Sequence, residues 1–258
     1  MRLQLLSDLH LESESFDPRP APEAELLVLA GDIDRGWQAY ERFRGWPVPV
    51  IVVAGNHEFD GRELRTAWPA LRSLCDGLGF TLLERQAHVV AARDGRRLRF
   101  LGTVRWCDFD LFGAGRRDKA LRAGEYFQKV MRATCDGAVF DAGAVRQEAL
   151  ACRAWLAAAL AEAPQGRWDD TVVVTHFAPS LHRADPRYGA QAGTASFCNA
   201  DDDLLPGAAL WLHGHVHCRQ DYRVQHPDGR STRVVSQARG LVRKGEAEGY
   251  EPLKTIEL

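Results

Sequence analysis

The sequence predicts an α/β fold, and three observations carry that reading. Short apolar runs rich in β-branched residues recur along the chain. Segments with apolar residues at helical spacing lie between several of them. Five of the runs end in Asp, Asn or His, three of them through a glycine. In open α/β sheets, ligands bind beyond the carboxyl ends of the strands, so residues spread over two hundred positions can converge there.

"LQLL" at 3–6, "LLVLA" at 26–30 and "VIVVA" at 50–54 read as buried strands. "GRELRTAWPALRSLCDGLG" reads as a helix that ends at its glycines. "LRFLGTV" at 98–104 is the next strand. Residues 105–143 break the βαβ rhythm and read as an insertion with some helix, placed over a site. "AVRQEALACRAWLAAALAEAP" is an Ala-rich helix that stops at Pro164. "TVVVT" at 171–175, "ALWLH" at 209–213 and "TRVVSQ" at 232–237 complete the strands. Residues 182–203 read as a long loop, of the kind that often carries function.

A chain of 258 residues suits one domain, spanning 1–258 with that insertion. Hydrophobic residues make up 45% and charged residues 26%, the balance of an ordinary globular enzyme. A formal net charge of -2 gives no nucleic-acid-binding signature. "MRLQLLSDLH" carries no apolar h-region and no run approaches membrane-spanning length, so a cytoplasmic location is expected. Cys75, Cys107, Cys135, Cys152, Cys198 and Cys218 are scattered without a CxxC pair and read as reduced packing thiols.

The strand ends hold the chemistry. Asp8 and His10 come after the first run, Asp32 after the second, and Asn56, His57 and Glu58 after the third. His176 succeeds "TVVVT", and His215 and His217 succeed "ALWLHG". One such residue is an ordinary turn or helix cap. Ligand-type residues at five strand ends together point to a metal site. Two aspartates, an asparagine and four histidines are too many for one tetrahedral zinc. They suit two adjacent ions, with one carboxylate spanning both, the arrangement that serves displacement at phosphorus. Oxygen and imidazole ligands without thiolate suit Mn, Fe, Zn, Co or Ni.

The blocks "DLH", "GDID", "GNHE", "TH" and "GHVH", in this order, resemble the signature of the calcineurin-like metallophosphoesterases. "FLGTVRW" and "WLHGHVH" resemble a bacterial branch of small stand-alone members. The resemblance implies a four-layer α/β/β/α sandwich with two mixed sheets and a metal site at the strand carboxyl ends. It implies that Asp8, His10 and His217 hold one ion, that Asn56, His176 and His215 hold the other, and that Asp32 bridges them. Attack on a phosphoester by a metal-bridging hydroxide is implied, with His57 assisting the leaving group. A small phosphorylated substrate is expected, with a phosphodiester or nucleotide favoured over a phosphoprotein. Related bacterial sequences often have a second His after the His176 equivalent, where this chain has Phe177.

Rival readings fit less well. A metallo-β-lactamase-like HxHxDH motif fails at His217 and Cys218. Lipid A precursor hydrolases that cleave a pyrophosphate typically carry Arg where this chain has His57. A non-catalytic interaction module on this fold, like the retromer subunit, would have lost ligands. Glu58 and Asp34 are candidates either for orienting a ligand imidazole or for plain capping contacts. Arg105, Trp106, Asp108, Arg116, Arg117, Arg187 and Tyr188 are candidates for phosphate or base contacts, weighed against ordinary surface or packing roles. His88, His182, His213 and His226 read as surface or packing residues.

Overall fold

The computed structural model describes residues 1–182, 187 and 189–258. Its strands are β1 (Arg2–Leu6), β2 (Leu26–Ala30), β3 (Val50–Val53), β4 (Thr81–Leu82), β5 (Gln86–Ala91), β6 (Arg97–Thr103), β7 (Thr134–Cys135), β8 (Ala138–Val139), β9 (Asp170–Thr175), β10 (Leu210–His213), β11 (Gln220–Gln225), β12 (Ser231–Ser236) and β13 (Thr255–Glu257). Three α-helices accompany them: α1 (Leu64–Leu78), α2 (Arg117–Met131) and α3 (Ala142–Ala161).

One five-stranded sheet has the order β13-β1-β2-β3-β4, and a six-stranded sheet has the order β11-β12-β10-β9-β6-β5. Both are mixed. The central strands run parallel, while β13, β5 and β11 pair antiparallel at the edges. The α/β expectation and its two mixed sheets are therefore found.

Alternation along the strands builds the layers. In β2, Leu26, Val28 and Ala30 face a core shared with Leu98, Phe100, Val172 and Leu212 of the other sheet. Leu27 and Leu29 face the opposite way, into a core with Leu71, Cys75 and Leu78 of α1. On the far side, Leu101, Val173 and Trp211 pack against Leu156 and Ala159 of α3. Parallel strands covered on both faces become continuous apolar runs, which is why these strands are legible as such.

Residues Val104–Phe109 are buried rather than peripheral. Arg105 is fully buried, with bidentate ion pairs to Asp201 at 2.8 and 2.7 Å and a third contact to Asp108 at 2.8 Å. It ties the end of β6 to the loop before Leu204, so it holds the frame and is not a phosphate contact. The remaining insertion forms α2 and the β7–β8 ribbon, and α2 lies against the 3-10 turn Ala192–Ser196 within the long loop. No helix among the described residues is long and apolar enough to cross a membrane.

Candidate metal centre

All seven candidate ligands stand at strand ends. β1, β2 and β3 deliver Asp8, His10, Asp32 and Asn56 from one sheet, while β9 and β10 deliver His176, His215 and His217 from the other. Backbone bonds zip the loops together: Asp8 N donates to Gly31 O at 3.0 Å, His10 N to Asp32 O at 3.1 Å, and Gly214 N to His176 O at 3.0 Å.

Two groups of ligand atoms form, each with its atoms within 4.8 Å of one another: Asp8, His10, Asp32 and His217, and then Asp32, His176 and His215. Asp32 belongs to both. Asn56 joins the second through Oδ1, 3.2 Å from His176 Nε2.

The imidazoles are oriented one nitrogen at a time. His10 Nδ1 lies 3.3 Å from Glu12 Oε1, His176 Nδ1 lies 2.8 Å from Ala30 O, and His217 Nδ1 lies 2.7 Å from Glu246 Oε2. His215 is turned the other way, with Nε2 3.2 Å from Ser196 O. An oxygen acceptor on one ring nitrogen holds the proton there and leaves a lone pair on the other.

Those inner nitrogens converge. His10 Nε2 and His217 Nε2 are 3.2 Å apart, as are His215 Nδ1 and His176 Nε2. Paired lone pairs at that distance need a cation or a shared proton between them. Among the described residues, the buried Asp32 Oδ2 has no hydrogen bond of ordinary geometry, its nearest imidazole contact being His176 Nε2 at 3.3 Å. Buried carboxylate oxygens are ordinarily satisfied. The donor set and the orphaned oxygen thus fit metal ions.

The backbone is built around this convergence. Asp8, His10, Asp32, His215 and His217 all have positive φ, between 46° and 67°. Such conformations cost on the order of 1–3 kcal/mol each and gather where function requires them. Gly31, at φ +87°, passes so close to the site that a Cβ would lie 2.3 Å from His176 Nδ1. A Cβ on Gly214 would lie 2.6 Å from Asp8 Oδ2.

Glu58 and Asp34 resolve toward backbone contacts. Glu58 accepts N–H bonds from Asp32 at 3.0 Å, Ile33 at 2.8 Å and Gly55 at 2.7 Å, and so clamps the second and third strand ends together. Asp34 caps the next turn through Gly36 and Ala39. Neither contacts a ligand imidazole.

His57 stands beside the cluster, its Nε2 4.0 Å from Asp32 Oδ2 and its Nδ1 2.8 Å from Asp60 Oδ2. Burial opposes the charge on His57, but Asp32 and Asp60 outweigh it and raise its pKa to about 9. Similarly, burial opposes charge on His176 and His217, yet their carboxylate neighbours raise them to about 9 and about 10. Bound metal must displace those protons, so metal affinity is expected to rise with pH through that range.

Glu12, Asp60 and Glu246 join the site without having stood out in the sequence. Asp60 had a signal, since it lies three residues after His57 on one tight turn. Glu246 had none, lying 29 residues beyond His217. Glu246→Gln is expected to weaken metal affinity by about 10–100-fold, read by competition with a chromogenic chelator; wild-type affinity would deny Glu246 its orienting role.

The other candidates disperse. His213 is buried with Nδ1 against Gly214 O at 3.0 Å, and burial first lowers its pKa, to about 4, so it packs as a neutral ring. Phe177 stacks on His215 at a centroid distance of 4.0 Å and forms the site wall. Cys218 is absent from both ligand groups. His88 is exposed on β5, His182 pairs with Asp202 at 3.2 Å, and His226 bonds Thr232 at 2.8 Å. Arg116 is exposed, Arg117 pairs with Asp110, and Arg187 lies 3.5 Å from Glu246. Tyr188 lies outside the described residues. Trp106 reaches a cavity of about 640 Å³ that opens onto the cluster.

Fold and cluster together define a metal-binding α/β protein. The chain belongs to the calcineurin-like phosphoesterase family, whose model matches residues 1–219. It is accordingly a metal-dependent phosphoester hydrolase. Among solved structures, phosphopantetheinyl hydrolase from Mycobacterium tuberculosis shares the fold, with a TM-score of 0.71 and 18% identity over 98% of this chain and 95% of that one. No curated protein matches the sequence.

Proposed function

We propose that the protein is a single catalytic unit that hydrolyses a small phosphoester at a two-metal centre, with a phosphodiester or nucleotide favoured over a phosphoprotein. Asp8, His10 and His217 would hold one ion, Asn56, His176 and His215 the other, and Asp32 would contribute to both. The observation that carries this reading is Asp32, common to both ligand groups, its buried Oδ2 without a hydrogen bond of ordinary geometry among the described residues. Two metal ions, when bound, would supply Lewis-acid charge and an acidified water with a pKa of about 7.

The chain's own residues do the rest. Asn56 contributes a neutral oxygen, which limits negative charge where an anion must enter. His57 holds a proton at Nε2 beside Asp32, while its Nδ1–H donates to Asp60. The ring is thereby aimed into the cavity, able to stabilise phosphoryl charge and to protonate the departing alkoxide.

The test strips metal with a chelator, reloads with Mn, Fe, Zn, Co or Ni, and assays a panel. The panel holds a nitrophenyl monoester, a bis(nitrophenyl) diester, a nucleotide, a phosphopeptide and a phosphopantetheinyl ester, the last because of the structural neighbour's name. Turnover is expected to vanish with the chelator, return with at least one metal and be faster for the diester or nucleotide than for the phosphopeptide. Turnover that survives full metal removal, or none with metal bound, would contradict the reading.

A further inference from the structure

The cavity beside the cluster has two chemically different parts. Candidate ligands His10, Asp32, Asn56, His215 and His217 line it, together with the charged Glu246, Arg243 and Lys244. α2 contributes a largely apolar stretch to the lining, Tyr126, Phe127, Val130 and Met131 beside Gln128. There Tyr126, Phe127 and Val130 are 67%, 36% and 52% exposed, an unusual outlay of apolar surface on one helix face.

These side chains connect to the centre through aromatic contacts. Phe197 packs on the ligand His215 with ring centroids 5.1 Å apart, Phe127 on Phe197 at 5.0 Å, and Tyr126 on Phe127 at 5.5 Å. The last two contacts are edge-to-face, a favoured aromatic geometry. An apolar track therefore starts at a candidate ligand and ends at the surface. It belongs to the same cavity of about 640 Å³, a volume within the ordinary range for small-molecule sites. A phosphoryl group alone would occupy only the ligand cluster and leave the track to water.

We infer that the substrate is a phosphoester with an apolar organic body, alkyl or aryl, which lies along Phe197, Phe127 and Tyr126 while its phosphoryl group sits at the metal cluster. This rests on the phosphoesterase reading above and narrows its substrate class. The occupant is set by continuity: the aromatic contacts run from His215, where the phosphoryl end is placed, through Phe197 and Phe127 to Tyr126. Burying each methylene against such a wall strengthens binding severalfold. Phe127 and Tyr126 are then specificity residues that need not touch phosphorus.

Alkylphosphonates supply the test, because they keep the headgroup constant and need no turnover. Binding of methyl-, octyl- and naphthylmethylphosphonate to the Mn-reloaded protein is measured by calorimetry, each below its aggregation concentration. At least one of the two large ligands is expected to bind at least about tenfold tighter than methylphosphonate. The one that gains identifies the body as alkyl or aryl. Tyr126→Ser and Phe127→Ser, at solvent-reached positions, are each expected to shrink that ratio. Ratios near one for both large ligands in the wild type, or a gain untouched by either substitution, overturn the proposal. If ester turnover remains chelator-sensitive in that event, the phosphoesterase reading stands; if turnover is absent too, that reading has failed as well.

Discussion

Asp32→Ala is expected to lower turnover by at least about 10³-fold, since it removes the one group shared by both ion positions rather than a single electrostatic contact, itself worth about 10²–10³. Metal content should fall with it. The loss should not be a folding defect. Among the described residues, Asp32 Oδ1 accepts only the His57 N–H, and the strand ends stay clamped by Glu58. A thermal melt of the chelated wild type and variant separates the two causes. Matching melts with lost metal support the bridging role, whereas full metal content with wild-type turnover contradicts it.

His57→Ala is expected to act differently. Its ring belongs to neither ligand group, so metal content should hold. Its contribution is a positioned proton, typically worth about 10²–10⁴-fold. The loss should be steep for esters of poorly acidic alcohols and shallow for nitrophenolate, which leaves without help. Rates across a series of leaving groups give the slope; an equal loss across the series would remove the acid role. Asp60→Asn should resemble His57→Ala in kind and fall short of it in size, because it relaxes the ring's aim and keeps the ring.

The candidate ligands are legible because a buried parallel strand is an apolar run, and its last residue opens into a loop at one known edge of the sheet. Asp8, Asp32, Asn56, His176 and His215 are readable on that geometry alone. The residues that hold the imidazoles are not. Glu246 meets His217 through the path of the chain after β12, which no local pattern encodes. The edge strands escape for another reason. β5 is exposed along most of its length and β11 alternates burial along six residues, so neither makes an apolar run. In α2, Tyr126, Phe127 and Val130 are apolar on the cavity side while Ala120, Gly124 and Met131 are buried, and the two faces blur a helical period. Arg105 shows the limit of reading charge from sequence. Its residue type suits a phosphate, yet Asp201, 96 positions away, claims it.

The proposed function requires the seven candidate ligands to hold two ions on one shared carboxylate, Asp32. The most direct measurement is the metal stoichiometry of the chelated wild-type protein, titrated back with the activating ion while turnover is monitored on the same sample. Two ions are expected to bind per chain, with activity complete only at the second. Full activity at one ion per chain, with no further uptake, would contradict it.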